Sequence, residues 1–312
     1  MNAGPPLPST PRAEQLLALA ADVRPELHRY CARLMGSVID GEDVVQDTFV
    51  RAFVALPELD QDTPLRPWLF RIAHNRALDL IRGRTVRASE PIEAAADVAD
   101  PTGPDPVEVL MRQDVVKTAV TRFVELPILQ RSVIILKDVL DESLLEIAAL
   151  LDLSVDAVKG HLARGRARLK EINAEVRSGP EVPAPSAAVS RYVALFNQRD
   201  WDGLRALLAD DVRLVQSAHP LRVGKDNVGL FFTIYARSPD VRLAPARLEG
   251  REVIAVFEDT GSLKPSYLMW LEWRDGLISF IHDYRHVRYV VDEAELEFAP
   301  EDRPGRFSQG PR

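Results

Sequence analysis

Residues 143–170, which read SLLEIAALLDLSVDAVKGHLARGRARLK, decide the fold of the middle of this chain. Ser143 can cap one helix and Ser154 a second, because a serine hydroxyl accepts a hydrogen bond from the first helical N–H groups. Apolar residues recur at helical spacing in both segments, and Asp152 lies in the short turn between them. The stretch predicts a helix-turn-helix, whose second helix enters the major groove in proteins that bind DNA with this motif.

Basic residues concentrate in two short runs, although the chain as a whole is acidic. Its 312 residues include 39 Lys and Arg against 47 Asp and Glu, a formal net charge of −8. From Arg66 to Arg87 six arginines oppose one acid, and from Lys159 to Lys170 five basic residues oppose none. Ala88–Leu110, between the runs, carries six acids and no base. A net charge averages over such segments, and the two runs of +5 predict binding to a polyanion.

The composition is that of a multidomain globular protein. Hydrophobic residues make up 46% and charged residues 28%, and the length suggests two or three domains. The single Cys31 cannot form an internal disulfide, and its apolar helical surroundings predict a core position. No apolar run approaches the roughly 20 residues of a membrane span, and the first residues do not read as a signal peptide. We therefore expect a cytoplasmic protein that does not associate with membranes.

Shifts in periodicity predict two all-α domains, the second a helix-turn-helix, followed by an α+β domain. The three domains are expected over 14–87, 113–175 and 188–298. Composition predicts disordered ends at 1–13 and 299–312, an acidic linker at 88–112 and a proline-rich linker at 176–187. The strand-like runs of the last domain are 212–215, 241–248, 253–257, 267–273 and 278–291.

The second helix of the helix-turn-helix offers side chains that could contact duplex DNA. His161, Arg164 and Arg168 are spaced to share one outward face. In this motif the N-terminal residues of the helix reach base edges and the flanking basic residues reach phosphates. An ordinary helical hairpin with a charged surface is the alternative. The candidate contacts are Ser154, Asp156, Lys159, His161, Arg164, Arg166 and Arg168.

Residues 66–82, which read RPWLFRIAHNRALDLIR, mix aromatic residues, amides and arginines on a predicted helix. This composition suits stacking on unpaired bases and contacts to single-strand phosphates. Aromatic residues at helical spacing are also typical of a core, and Trp68 by itself favours that interpretation.

Three motifs in this order resemble the sigma-70 family of bacterial transcription initiation factors, specifically its extracytoplasmic-function (ECF) group. Gly41–Ala52 looks like the helix that docks on RNA polymerase. Trp68–Arg76 looks like the segment that melts and reads the −10 promoter element. Leu126–Arg166 looks like the module that reads the −35 element. The resemblance covers roughly residues 14–175. The family more often has Ser and Ala where Gly160 and Gly165 stand here.

This resemblance implies a sigma factor that binds core RNA polymerase and directs promoter-specific initiation on duplex and melted DNA, without catalysis of its own. The implied polymerase contacts are Asp43, Gln46, Asp47, Phe49 and Arg51. The implied −10 contacts are Trp68, Arg71, Asn75, Arg76 and Arg82, with Asn75 near a flipped base. The duplex contacts named above would read the −35 element. An anti-sigma factor is a further candidate partner.

Residues 188–291 resemble the SnoaL/NTF2-like α+β cone that some members of this group carry. We expect it to regulate the protein, by packing on the other domains or by binding a small molecule. The candidate pocket residues are His219, Tyr267, Trp270, His282 and Tyr284. His282 and His286, on one predicted strand, would lie about 13 Å apart and could not share a metal ion. We therefore expect no metal and no cofactor.

Two alternatives remain open. A regulator that binds only duplex DNA would act without polymerase, but it needs no melting element such as Trp68–Arg76. An isomerase or cyclase with a DNA-binding appendage would need a wet pocket with a paired acid and base around His219 or Asp283.

Overall fold

The computed structural model describes residues 10–88, 115, 118–175, 182–217, 219–259, 261–300 and 302. The chain divides into two compact units, a first unit of residues 1–177 and a second unit of residues 178–312. Nearly all of the predicted linker 88–112, and most of the predicted disordered ends, lie outside the described residues. None of the described helices is long and apolar enough to cross a membrane.

Three helices form the first half of the first unit, namely α1 (Pro11–Met35), α2 (Val38–Ala55) and α3 (Leu65–Ala88). Helix α1 begins inside the segment predicted to be disordered, because the Thr10 hydroxyl accepts a hydrogen bond from the Ala13 N–H at 3.3 Å and caps it. Gly36 ends α1 in the left-handed conformation at φ +71°. Ser37 caps α2 in turn, so one short turn folds α2 back against α1.

The second half of the first unit is the predicted helix-turn-helix and the helix before it. Its elements are α4 (Ile128–Ile134), α5 (Leu144–Leu151) and α6 (Val155–Ala174), with a 3-10 turn at Val120–Glu125 and a π-turn at Ile135–Val139. Ser143 and Glu146 form a reciprocal capping box at the start of α5. Asp152 makes the turn at φ +57°, and Ser154 caps α6. The prediction of a helix-turn-helix is confirmed.

One hydrophobic core runs through both halves of the first unit, although the sequence predicts two separate domains. Val23 and Phe70 of the first half belong to the same buried cluster as Phe123 and Ile147 of the second. The Arg131 guanidinium, buried in α4, donates a hydrogen bond to the main-chain oxygen of Leu34 at 2.7 Å. The two helical halves therefore pack as one unit.

Gly165 explains how closely α6 approaches α4. A Cβ at this position would lie 2.5 Å from Cδ1 of Ile134, a distance that real Cβ atoms do not tolerate. The glycine weakens the helix by roughly 1 kcal/mol relative to alanine. A residue with a side chain at this position would therefore require the Ile134 side chain to shift.

The second unit is an α+β fold, as predicted. Its helices are α7 (Ala187–Asn197), α8 (Trp201–Ala206), α9 (Lys225–Gly229), α10 (Phe231–Ala236) and α11 (Tyr289–Asp292). Its strands are β1 (Leu208–Gln216), β2 (Arg222–Val223), β3 (Arg242–Leu248), β4 (Arg251–Phe257), β5 (Tyr267–Arg274) and β6 (Leu277–Asp283). The sheet order is β2-β1-β6-β5-β4-β3, with β1 parallel to β6 and the other pairs antiparallel.

The last predicted strand, 278–291, is wrong beyond Asp283. The Asp283 carboxylate accepts a hydrogen bond from the Arg285 N–H at 3.0 Å and turns the chain, after which α11 begins. His286 therefore does not share a strand face with His282. Its ring instead contacts His219, with ring centroids 4.2 Å apart.

Candidate nucleic-acid interface

Helix α6 presents its predicted DNA contacts unevenly. Arg168 is exposed, but His161 is 9% exposed, so the predicted outward face of three residues is wrong at His161. At the exposed start of the helix, Asp156 and Lys159 form an ion pair at 3.5 Å. The Ser154 hydroxyl accepts a hydrogen bond from the Ala157 N–H at 3.1 Å and so caps the helix.

Arg166 is an internal residue of the helix-turn-helix. Its guanidinium makes two hydrogen bonds to the Asp138 carboxylate, from Nε at 2.9 Å and from Nη2 at 2.5 Å. The Asp138 side chain is completely buried. This bidentate pair holds α6 against the π-turn after α4. Arg166, which the sequence predicts as a phosphate contact, is therefore already bound to a carboxylate within the protein.

Helix α3 is anchored by one face and open on the other. The Tyr30 hydroxyl and Nδ1 of His74 are 2.7 Å apart in the core. Burial, and to a smaller extent the charge of Arg82, lowers the pKa of His74 to about 4, so this histidine is neutral at physiological pH. Asn75 and Arg71 are exposed, whereas Trp68 packs partly against the core as its composition favoured.

The start of α3 contacts the helix-turn-helix within the first unit. Arg66 forms ion pairs with Glu26 at 2.9 Å and with Glu142 at 2.5 Å, which links the two halves. Arg71 donates a hydrogen bond to the main-chain oxygen of Ala149 in α5 at 3.3 Å. The candidate −10 helix and the candidate −35 module are therefore held together in this arrangement.

Helix α2 has a buried face and an exposed one. Phe49 lies on the buried face, 5% exposed, with the Arg24 guanidinium 4.8 Å from its ring centroid. It therefore supports the core rather than an outer surface. Sequence reasoning missed Val50 and Val54, which are 62% and 77% exposed beside Arg51. The signal was available, because apolar residues four apart interrupt the polar face.

The residues predicted for a single C-terminal pocket lie in different places. Trp270 and His282 are cross-strand neighbours, and Tyr284 stacks on His282 with ring centroids 4.2 Å apart. Tyr267 belongs to the buried cluster on the opposite face of the sheet, because side chains alternate along a strand. His219 lies in the loop between β1 and β2. These residues do not form one pocket.

A different cluster occupies the interior of the second unit. Gln216 donates a hydrogen bond to the buried Asp283 carboxylate at 2.7 Å. The Tyr235 and Tyr267 hydroxyls are also 2.7 Å apart. The Tyr192 hydroxyl is buried and has no hydrogen-bond partner among the described residues. Sequence reasoning named Asp283 as a candidate acid, but it missed Gln216, Tyr235 and Tyr192.

Burial raises the pKa of Asp283 from 3.8 to about 6, although the hydrogen bonds from Gln216 and from the Arg285 N–H oppose the shift. A carboxyl whose folded pKa is raised costs no stability below pH 3.8, and the cost is complete above pH 6.

Among the described residues, no three His, Cys, Asp or Glu lie close enough together to hold a metal ion.

We expect Asp283→Asn to remove this pH dependence. Relative to wild type, the variant should gain about 3 kcal/mol of unfolding free energy between pH 3.5 and pH 8, since each pKa unit corresponds to about 1.4 kcal/mol. Urea unfolding followed by tryptophan fluorescence checks this. Three of the four tryptophans, Trp201, Trp270 and Trp273, lie in the second unit together with Asp283, so the signal reports mainly on that unit. A difference that does not change with pH contradicts it.

Comparison with known proteins assigns all three modules. Residues 19–87 match the family model Sigma-70 region 2, residues 121–169 match Sigma-70, region 4, and residues 189–281 match SnoaL-like domain. The first unit thus carries the two helical sigma-70 modules, and the second unit carries the SnoaL-like domain.

Two curated relatives are RNA polymerase sigma factors, and the first of them is covered over more than two thirds of its length. The chain is 43% identical over 141 residues to the RNA polymerase sigma factor CnrH of Cupriavidus metallidurans, covering 43% of this chain and 73% of CnrH. It is 31% identical over 222 residues to the ECF RNA polymerase sigma factor SigG of Mycobacterium tuberculosis, covering 63% of this chain and 60% of SigG. The chain belongs to the ECF group of sigma-70 RNA polymerase sigma factors.

Among solved structures, the chain is similar to the extracytoplasmic function sigma factor SigJ of Mycobacterium tuberculosis. The two are 21% identical with a TM-score of 0.33, and the match covers 86% of this chain and 95% of SigJ.

Proposed function

We propose that this protein binds core RNA polymerase in the cytoplasm and directs promoter-specific initiation of transcription. The observation that carries the proposal is the exposed face of α2. The side chains of Val50 and Val54 are exposed to solvent there, although the other face of the helix is well packed. Exposed apolar residues grouped among charged ones are typical of a surface that a partner protein covers. Asp43, Asp47 and Arg51 flank them and complete the polymerase-binding surface.

Promoter DNA is the second proposed partner. On α3, we propose that Arg71, Asn75 and Arg82 contact melted DNA, which their exposure permits, and that the half-buried Trp68 supports them from the core side. On α6, we propose that Asp156 and Lys159 of the first turn contact base edges and that the exposed Arg168 contacts a phosphate. Arg164 stays a proposed duplex contact, and Ser154, His161 and Arg166 act by holding the helix in place.

The rival function, a regulator that binds only duplex DNA, does not account for the α2 surface. Such a protein has no need of exposed apolar residues at Val50 and Val54 beside a separate set of DNA contacts on α3. Family membership also makes an anti-sigma factor a candidate partner.

We propose a regulatory role without catalysis for the second unit. The hydrogen-bond partners that support Asp283 are Gln216 and the Arg285 N–H, and neither is a base that could share proton transfer with it. The buried Tyr192 hydroxyl, which has no hydrogen-bond partner among the described residues, is a suitable donor for the carbonyl of a small ligand. A changed transcript yield from Asp283→Asn under otherwise equal conditions supports the regulatory role.

We expect Val54→Asp to weaken binding to core RNA polymerase at least tenfold, because it places a charge in a surface that must be desolvated on docking. The control is Leu17→Asp, which introduces the same charge at an apolar residue of another helix, α1, that is 44% exposed. Two assays measure the effect. One is the affinity of core RNA polymerase for the fluorescently labelled variants, and the other is run-off transcription from the promoter of this protein's own gene. Equal binding by both variants, or no specific transcript from wild type, contradicts the proposed function.

A further inference from the structure

A groove between α2 and α3 joins the proposed polymerase surface to the proposed DNA surface. Its volume is about 360 Å³. The groove is lined by Asp40, Asp43, Gln46 and Asp47 from α2 and by Arg76, Leu80 and Arg84 from α3. Three aspartates and two arginines thus face one another between two functional surfaces.

One ion pair in this groove links a residue from each surface. The Nε of Arg76 donates to Oδ2 of Asp47 at 2.5 Å. Arg76 is a proposed DNA contact, whereas Asp47 is a proposed polymerase contact. The Asp47 side chain is 42% exposed and that of Arg76 is 26% exposed, so each can be reached from outside.

The neighbouring pair, Arg84 with Asp40, differs in the burial of its acid. Its two charged atoms are 2.9 Å apart, but the Asp40 side chain is only 11% exposed. A partner therefore reaches Asp47 more readily than Asp40. Because ion pairs at exposed positions are weak, a basic side chain of a partner can replace Arg76 in the ion pair with Asp47.

We propose that Asp47 couples polymerase binding to DNA binding. In the free protein Asp47 holds the Arg76 guanidinium and neutralises its charge. When a basic side chain of the polymerase pairs with Asp47, Arg76 is released to a phosphate of the melted strand. The inference rests on the proposed function, because it needs the α2 surface to receive a polymerase.

The test measures binding of the free, full-length protein to a fluorescein-labelled 20-nucleotide oligothymidylate across a salt titration. Asp47→Asn should raise affinity roughly three- to tenfold at 50 mM salt and steepen the salt slope by about 0.7, because one more cation meets a phosphate. Asp22→Asn, which removes the same charge from an exposed position on α1, should leave both values unchanged. The double variant Asp47→Asn/Arg76→Gln should show no gain over Arg76→Gln.

The inference is overturned if Asp22→Asn raises affinity as much as Asp47→Asn, if Asp47→Asn has no effect, or if its gain persists without Arg76. A second arm adds saturating core polymerase, where wild type and Asp47→Asn should bind the oligonucleotide equally. If wild-type protein does not bind core polymerase at all, the proposed function fails, while the free-protein result still decides whether Asp47 restrains Arg76.

Discussion

Replacing Asp138 with alanine should lower the free energy of unfolding of the first unit by about 3–5 kcal/mol. The variant removes the acid that the largely buried Arg166 guanidinium binds with two hydrogen bonds, and removing one partner of a buried ion pair is strongly destabilising. Hydrogen–deuterium exchange followed by mass spectrometry measures the loss in peptides from α5 and α6. The matched control is Asp156→Ala, whose exposed pair with Lys159 should contribute less than about 0.5 kcal/mol.

A second comparison separates the structural role of Arg166 from a DNA contact. The double variant Asp138→Leu/Arg166→Met should recover most of the lost stability, because it removes both charges together. Arg168→Ala should leave stability unchanged and reduce the salt slope of duplex binding by about 0.9, as expected for one phosphate contact. If Arg166→Ala instead behaves like Arg168→Ala in both measurements, Arg166 contacts DNA and the internal assignment is wrong.

The ion pairs show why charge runs in a sequence overstate a basic surface. Arg66 and Arg76 belong to a run of +5, yet each pairs with an acid from another helix, Glu26 and Asp47 respectively. These partners lie 40 and 29 residues away in the chain. A sum over contiguous residues cannot include them, because only the packing of α1, α2 and α3 brings them together.

Local signals predicted the helix-turn-helix well because its limits depend on neighbouring residues. Ser143 and Ser154 cap helices that follow them directly, and the structure confirms both caps. The orientation of His161 depends instead on what packs against α6, and helical spacing does not reveal that. The close approach of α6 to Ile134 likewise explains Gly165 only once the neighbouring helix is in place.

The candidate C-terminal pocket shows the same limit. Strand alternation relates only the residues of one strand, whereas assembling a site requires the neighbours from other elements. Tyr192 comes from α7 and Gln216 from β1, about 90 and 70 residues before Asp283. A single sequence contains no signal that relates such distant positions.

Replacing Arg131 with alanine should lower the free energy of unfolding of the first unit by about 2–4 kcal/mol and loosen the packing of its two halves. Burial lowers the pKa of Arg131 to about 10, so the side chain stays a cation at neutral pH. Hydrogen bonds to three main-chain oxygens offset its burial, from Leu34 at 2.7 Å, Val124 at 2.8 Å and Leu126 at 2.9 Å. Alanine leaves these oxygens unsatisfied and creates a cavity.

The positions of the three Arg131 hydrogen bonds determine which segments become less protected in the variant. Leu34 lies in the last turn of α1, whereas Val124 and Leu126 precede α4, so one guanidinium joins the two halves. Hydrogen exchange should therefore accelerate at the end of α1 and across Val120–Glu125 together. Arg122→Ala is the control, since Arg122 makes a single exposed bond to the main-chain oxygen of Glu175 at 3.0 Å. Unchanged exchange at the end of α1 in Arg131→Ala would show that the shared apolar core alone holds the halves together.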